Sequence, residues 1–173
     1  MANLILSVVG SDRPGLTEAL AAAVFSAGGN WLESHLSRLG GLYVGSVLVG
    51  LDEGRVDALR AAVSAVDAQG LEVRIAPAVE DVAAAAEGEV VAFSLVGQDR
   101  PGIVHQVTGV VSNLGANIEA FETRLSVEPH SGAPLFHMDA RLRLPPTLKA
   151  DAVQAALEAI SAEIMVDVSL SAG

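Results

Sequence analysis

The chain repeats itself, and this constrains its fold more than any other feature of the sequence. The stretch VVGSDRPGLTEAL at 8–20 returns eighty-seven residues later as LVGQDRPGIVHQV at 95–107. Aligning the two Asp-Arg-Pro-Gly motifs also matches strand residues before them, helix-spaced apolar residues after them, and Gly28 with Gly115. Past that point the alignment slips by one residue and matches Arg38 with Arg124. A repeat of this length predicts two copies of one folding unit.

Each copy has the same order of predicted elements. The runs NLILSVVG and VVAFSLVG are short, apolar and end at glycine, which is typical of buried strands. Apolar residues at helical spacing follow, and then two apolar runs, joined in the first copy by Gly40-Gly41, predict a hairpin. A further helix and strand close each copy. The order βαββαβ, twice, predicts an α+β chain of two tandem ferredoxin-like units, each a four-stranded antiparallel sheet with two helices on one face.

The segment between the two copies predicts the domain boundaries. It reads PAVEDVAAAAEGE at 77–89, rich in alanine and acidic residues and without an apolar side chain larger than valine. We therefore expect one domain at 1–77, a linker at 78–89 and a second domain at 90–173.

Composition excludes several classes of function. The formal net charge of −11 repels phosphate backbones and anionic lipid surfaces, so we expect no direct nucleic-acid or membrane partner. Cysteine is absent, which removes thiol catalysis and disulfides, and no run of about 18 apolar residues is present. The N-terminal MANLILSVVG has no basic region and is expected to be a strand rather than a signal peptide. A cytoplasmic protein is expected.

The Asp-Arg-Pro-Gly corner has two interpretations. In the first, proline occupies the first turn of the helix. The negative charge of Asp12 or Asp99 then interacts favourably with the positive end of the helix dipole, or its side chain caps the helix. In the second, the glycine leaves the first-turn amides open to a carboxylate, and an acidic side chain nearby takes an ammonium group. Together those groups would select an α-amino acid.

The motifs resemble a known family. The βαββαβ unit with Gly-x-Asp-Arg-Pro-Gly between strand and helix resembles the ACT domain, a regulatory module that commonly binds amino acids at the interface of paired copies. The segments SDRPGLTEAL, GGNWLESHLSRLGG, GQDRPGIVHQVTGVVSNLGANIEAFETRL and SGAPLFHM resemble the glycine cleavage system transcriptional repressor family. The resemblance runs from about Leu4 to Leu170.

The resemblance implies a ligand site and partners. It implies a non-enzymatic regulator that binds a small amino acid, glycine favoured, and controls transcription or metabolism through a protein such as a DNA-binding activator. A homodimer is also expected, and no cofactor or metal. The implied ligand-binding residues are Gly10, Asp12, Arg13, Pro14, Gly15, Leu16, Asn30, Gly97, Asp99, Arg100, Pro101, Gly102, Ile103 and Asn117.

The sequence also suggests alternative functions. An acylphosphatase-like hydrolase would use Arg13 or Arg100 with free amides to cradle phosphate, and a ligand-free interaction scaffold is a further alternative. An RNA-recognition module needs exposed aromatic residues on its central strands, and only Phe93 is available. The four histidines have no metal-binding spacing, and His137 is expected on a solvated strand face. Trp31 either lies near the corner or fills core.

Overall fold

The structure is a computed structural model that describes residues 1–79, 88–160 and 164–170, and only the backbone of 166–170. The chain divides into two compact units, Met1–Asp81 and Val82–Gly173, which are described separately below. Most of the segment expected to be the linker, 78–89, lies outside the described residues.

The first unit follows the predicted order. Its elements are β1 (Ala2–Ser11), α1 (Leu16–Ser26), β2 (Asn30–Leu39), β3 (Leu42–Leu51), a short 3-10 helix (Glu53–Arg55), α2 (Val56–Asp67) and β4 (Leu71–Pro77). The strands form one sheet in the order β2-β3-β1-β4, and all neighbouring pairs are antiparallel.

The second unit repeats this arrangement. Its elements are β5 (Val90–Gln98), α3 (Ile103–Asn113), β6 (Asn117–Val127), β7 (Pro134–Arg143), α4 (Ala150–Glu158) and β8 (Ile164–Leu170). The sheet order is β6-β7-β5-β8, again antiparallel throughout. In neither unit does a described helix combine the length and apolarity needed to cross a membrane.

One core in each unit joins the helices to one face of the sheet. In β1, Leu4, Leu6 and Val8 are buried while the residues between them are not, which is the period-two pattern of a strand covered on one side. These side chains share a core cluster with the buried residues of both helices, among them Leu20 and Leu59. The predicted α+β fold of two tandem units, with both helices on one face of each sheet, is confirmed.

On the uncovered face of the second sheet, the β7 residues from His137 onward are polar, as predicted from the alternation in that strand. Phe136, Met138, Ala140 and Leu142 are buried on the helix side. Between them, His137 and Asp139 face the other way; the His137 ring lies 2.6 Å from the Ser126 hydroxyl, and Asp139 accepts a 2.6 Å hydrogen bond from Ser94. The polar side of β7 is therefore hydrogen-bonded to the neighbouring strands.

Gly10, near the end of β1, lies against the turn that leads into β4. A Cβ placed on Gly10 would lie 2.8 Å from the Leu71 Cα and closer still to the Gly70 carbonyl oxygen, and neither backbone atom can rotate away. The Ser11 N–H donates to that same carbonyl at 3.2 Å. The end of β1 and the α2–β4 turn are thus packed backbone to backbone.

We predict that Gly10→Ala destabilises the first unit by about 2–3 kcal/mol, since the added methyl group overpacks a site bounded by backbone. Gly54→Ala is the matched control, because a Cβ at Gly54 meets nothing within 4 Å. Thermal unfolding followed by circular dichroism measures both variants. Equal melting temperatures for the two would contradict the close packing at Gly10.

Candidate functional site

Both strand-to-helix corners turn through a left-handed glycine. Gly15 has φ of 91° and Gly102 has φ of 86°, and each is the N-cap residue of the helix that follows. Glycine adopts this conformation without the strain that a side chain would bring. A Cβ at either position would meet no atom within 4 Å. The space over both helix starts is therefore open.

The helix-start interpretation of the corner is wrong in two respects. Pro14 precedes the N-cap and so lies in the turn, not in the first helical turn as expected. Neither helix has a side-chain cap hydrogen bond, so neither Asp12 nor Asp99 caps its helix. The glycine conformation, rather than proline or a capping acid, fixes where each helix begins.

The first-turn amides keep hydrogen-bonding capacity. The Gly15 and Gly102 carbonyls accept from Ala19 and Gln106, at 2.9 and 3.0 Å, and so start the helical ladder. Within the described residues, the Leu16 N–H has no backbone acceptor outside its helix, and the Ile103 N–H reaches the Arg100 carbonyl only at 3.4 Å. Unpaired amides at a helix N-terminus favour an anion.

In the first corner the charged side chains have partners within the unit. The Arg13 Nε donates to the Ser11 hydroxyl at 3.1 Å, and its Nη2 donates to the Gln69 carbonyl in the α2–β4 turn. Asp12 lies 3.2 Å from the Arg38 Nε, with the two side chains 42% and 71% exposed. At that exposure the ion pair orients Asp12 but adds little to stability.

The two corners differ because the strands beside them differ. Strand β2 has a bulge between Trp31 and Glu33, and β6 has one at the equivalent place, between Ile118 and Ala120. The two repeats therefore stay in the same alignment past this point, and the expected one-residue slip does not occur. Arg38 lies opposite Tyr43 in the first sheet. The residue at the same position in the second sheet is Leu125, which lies opposite Phe136. The match of Arg38 with Arg124 is wrong.

This register makes the second corner less polar than the first. In the first corner the Thr17 and Tyr43 hydroxyls lie 2.8 Å apart, which ties α1 to β3. The corresponding residues of the second corner are Val104 and Phe136, neither of which has a hydroxyl group. Asp99 and Arg100 have no side-chain partner among the described residues.

A cavity of about 540 Å³ lies against the first corner. Its walls come from the corner, from the first turn of α1 and from the end of α2, and they include Arg13, Gly15, Glu18, Ala68 and Gln69. Four of the lining residues were not predicted from the sequence: Glu18, Ala19, Ala68 and Gln69. The last two could not be found from a motif, since only tertiary folding brings the α2–β4 turn beside the corner.

Asn30 and Asn117 do not lie at the corners, contrary to expectation. Asn30 pairs with Gly50, whereas Gly10 pairs with Tyr43 at the other end of β3. Gly50 and Tyr43 are seven residues apart on β3, which corresponds to about 23 Å at roughly 3.3 Å per residue. In the second unit Asn117 lines a separate cavity of about 450 Å³ at the end of α3. Both asparagines lie far from their corners because α1 and α3 return the chain to the end of the sheet at which β1 and β5 begin.

The remaining corner residues lie where they were expected. Gly10 and Gly97 sit near the ends of β1 and β5, just before the turns. Trp31 packs against the first core rather than beside the corner. Among the described residues no group of three His, Asp or Glu side chains could hold a metal ion.

Comparisons with known proteins agree with this architecture. A family model described as the ACT domain matches residues 2–76. A solved structure of a protein from Galdieria sulphuraria, described only as unknown, is 27% identical, covers 99% of both chains and has a TM-score of 0.84. The structure of a candidate glycine cleavage system transcriptional repressor is 15% identical over 98% of each chain, with a TM-score of 0.69. No curated protein matches the chain in sequence.

We predict that Arg13→Ala lowers the stability of the first unit by about 1 kcal/mol, because it removes charge-assisted bonds to Ser11 and to the α2–β4 turn. Arg100→Ala, the same change in the other repeat, should stay within about 0.5 kcal/mol of the parent. Chemical denaturation of both variants tests this. An equal loss in the two would show that the Arg13 contacts do not support the corner.

Proposed function

We propose that this chain is a non-enzymatic regulatory protein that binds a small amino acid at its strand–helix corners, because an ACT-domain family model matches residues 2–76 and the second unit repeats the same fold. Glycine is the favoured ligand and a protein is the favoured downstream partner. Glycine is favoured because the chain shares its fold with a solved structure described as a candidate glycine cleavage system transcriptional repressor. The protein partner is argued below from the charge of the chain.

The cavity of the first corner is the observation that carries this proposal. Its lining includes three kinds of group: the helix start at Gly15, the guanidinium-bearing Arg13 and the carboxylate-bearing Glu18. A guanidinium has five N–H donors, and the bonds to Ser11 and Gln69 leave others available. The amides and Arg13 suit the carboxylate of an amino acid, and Glu18 suits its ammonium group. Both ends of a zwitterion are thus matched.

The second corner supports binding in a different way. Asp99 has no ion-pair partner among the described residues, so it offers its carboxylate to a ligand ammonium without displacing an arginine. In the first corner Asp12 would first have to leave Arg38. We therefore assign the ammonium contact to Glu18 in the first unit and to Asp99 in the second.

The charge of the protein determines the kind of partner. A net charge of −11 disfavours contact with nucleic acid, so control of transcription would pass through a DNA-binding protein. The acylphosphatase-like alternative is disfavoured by the same electrostatics, since Glu18 on the cavity wall would repel an acyl phosphate.

Isothermal titration with each standard amino acid tests the proposal. We predict saturable binding of glycine that weakens about tenfold in Glu18→Gln, as expected when one charge-assisted hydrogen bond of at least 1.4 kcal/mol is lost. Asp99→Asn should weaken a second binding event and leave the first unchanged.

Glu53→Gln is the matched control, because Glu53 begins the 3-10 helix and is absent from the cavity wall. It should bind glycine as the parent does. If no amino acid binds the parent protein, the corners are only turns at helix starts, and an interaction scaffold is the better description.

A further inference from the structure

The second corner carries an aliphatic surface that the first corner lacks. Leu125 lies opposite Phe136, and Phe136 lies opposite Gly97, in a row that crosses the sheet at the end where α3 begins. Phe136 is buried, with 6% of its surface exposed, whereas Leu125 is 61% exposed. Val104, in the first turn of α3, is 38% exposed. Val104 and Leu125, the aliphatic pair, are thus both accessible to solvent.

The corresponding positions of the first unit lie around its corner. The Thr17 hydroxyl, in the first turn of α1, lies 2.8 Å from the Tyr43 hydroxyl. Arg38, which lies opposite Tyr43, is 3.2 Å from the Asp12 carboxylate. The two units share one strand order and one glycine conformation. The aliphatic pair, which stands in place of Thr17 and Arg38, therefore flanks the second corner in the same way.

The charged groups of the second corner are free to hold an amino acid. Asp99 and Arg100 have no side-chain partner in the part of the chain that the structure describes. The Arg100 guanidinium therefore suits a carboxylate, and the Asp99 carboxylate suits an ammonium group. These two groups hold two of the substituents on the Cα atom of the ligand. The third substituent, its side chain, then lies against the aliphatic pair.

Given amino-acid binding at the corners, the proposed function on which this inference rests, we propose that the second corner selects an amino acid with an aliphatic side chain. Such a side chain covers Val104 and Leu125 and removes their apolar surface from water, which favours binding. The Phe136 ring is too buried to stack on an aromatic ligand. The aliphatic pair therefore favours aliphatic over aromatic amino acids.

The first corner does not offer this selection. A ligand side chain there meets the Thr17 and Tyr43 hydroxyls and the Arg38 side chain, which is 71% exposed. Covering these polar groups with hydrocarbon removes them from water without supplying a new hydrogen-bond partner, which is unfavourable. Glycine has no side chain and avoids that cost. The two corners therefore prefer different amino acids, and one chain responds to both.

An amide-resolved nuclear magnetic resonance titration separates the corners, because the Leu16 amide reports on the first and the Ile103 amide on the second. We expect leucine to bind the second corner about tenfold more tightly than glycine, or about 1.4 kcal/mol, the gain from burying roughly two methylene groups. Asparagine, which branches at the same carbon as leucine but ends in an amide, should gain nothing over glycine there. At the first corner leucine should bind no better than glycine.

Variants of the aliphatic pair test the cause of the selection. In the double variant V104T/L125S, the advantage of leucine over glycine at the second corner should disappear, and the amide spectrum shows that the variant is folded. Phe121→Ser is the matched control, because Phe121 is 40% exposed on the same strand. It lies four residues from Leu125, about 13 Å at roughly 3.3 Å per residue. This control should keep the preference for leucine.

The outcomes separate this inference from the proposed function. Equal affinities for leucine and glycine at the second corner, an equal preference for leucine at the first corner, or a preference that survives in the double variant would each overturn the inference while leaving amino-acid binding intact. If no amino acid binds either corner, the proposed function and this inference both fail.

Discussion

The left-handed glycine at the start of α1 and α3 is the constraint on which the rest of each corner depends. It turns the chain sharply enough for the helix to pack back on the strand, and it replaces the side-chain cap that most helix starts use. A Cβ at either glycine would meet no atom within 4 Å, so the space beside each helix start is open. In the first unit that empty space is continuous with a cavity bounded by Arg13 and Glu18. A turn that folding requires thus also leaves a place where an anion can approach.

The duplication preserved the backbone and changed the side chains around it. Both units have the same strand order, the same bulge and the same glycine conformation. Around them, a pair of hydroxyl groups at Thr17 and Tyr43 is replaced by apolar residues, and Arg38 is replaced by Leu125. The first corner is polar and internally paired, whereas Asp99 in the second has no ion-pair partner among the described residues.

The features set by local periodicity were predictable from the sequence. The alternation of apolar and polar residues predicted which side of β7 is buried and which is exposed to solvent. The glycine pair at 40–41 predicted the β2–β3 hairpin. Features set by tertiary contact were not predictable. Gln69 belongs to the site only because the α2–β4 turn packs on Gly10, and no pattern around Gln69 indicates this. Asn30 lies far from the corner because α1 carries the chain back to the opposite end of the sheet, which its place in the sequence does not indicate.

The central claim is that the corners bind an amino acid, and an amide-resolved nuclear magnetic resonance titration with glycine tests it most directly. The account predicts saturable shifts of the Gly15 and Leu16 amide resonances, and of Gly102 and Ile103, with Asn30 and Asn117 unaffected. Saturable shifts that avoid both corners, or no shift at any glycine concentration, would contradict it.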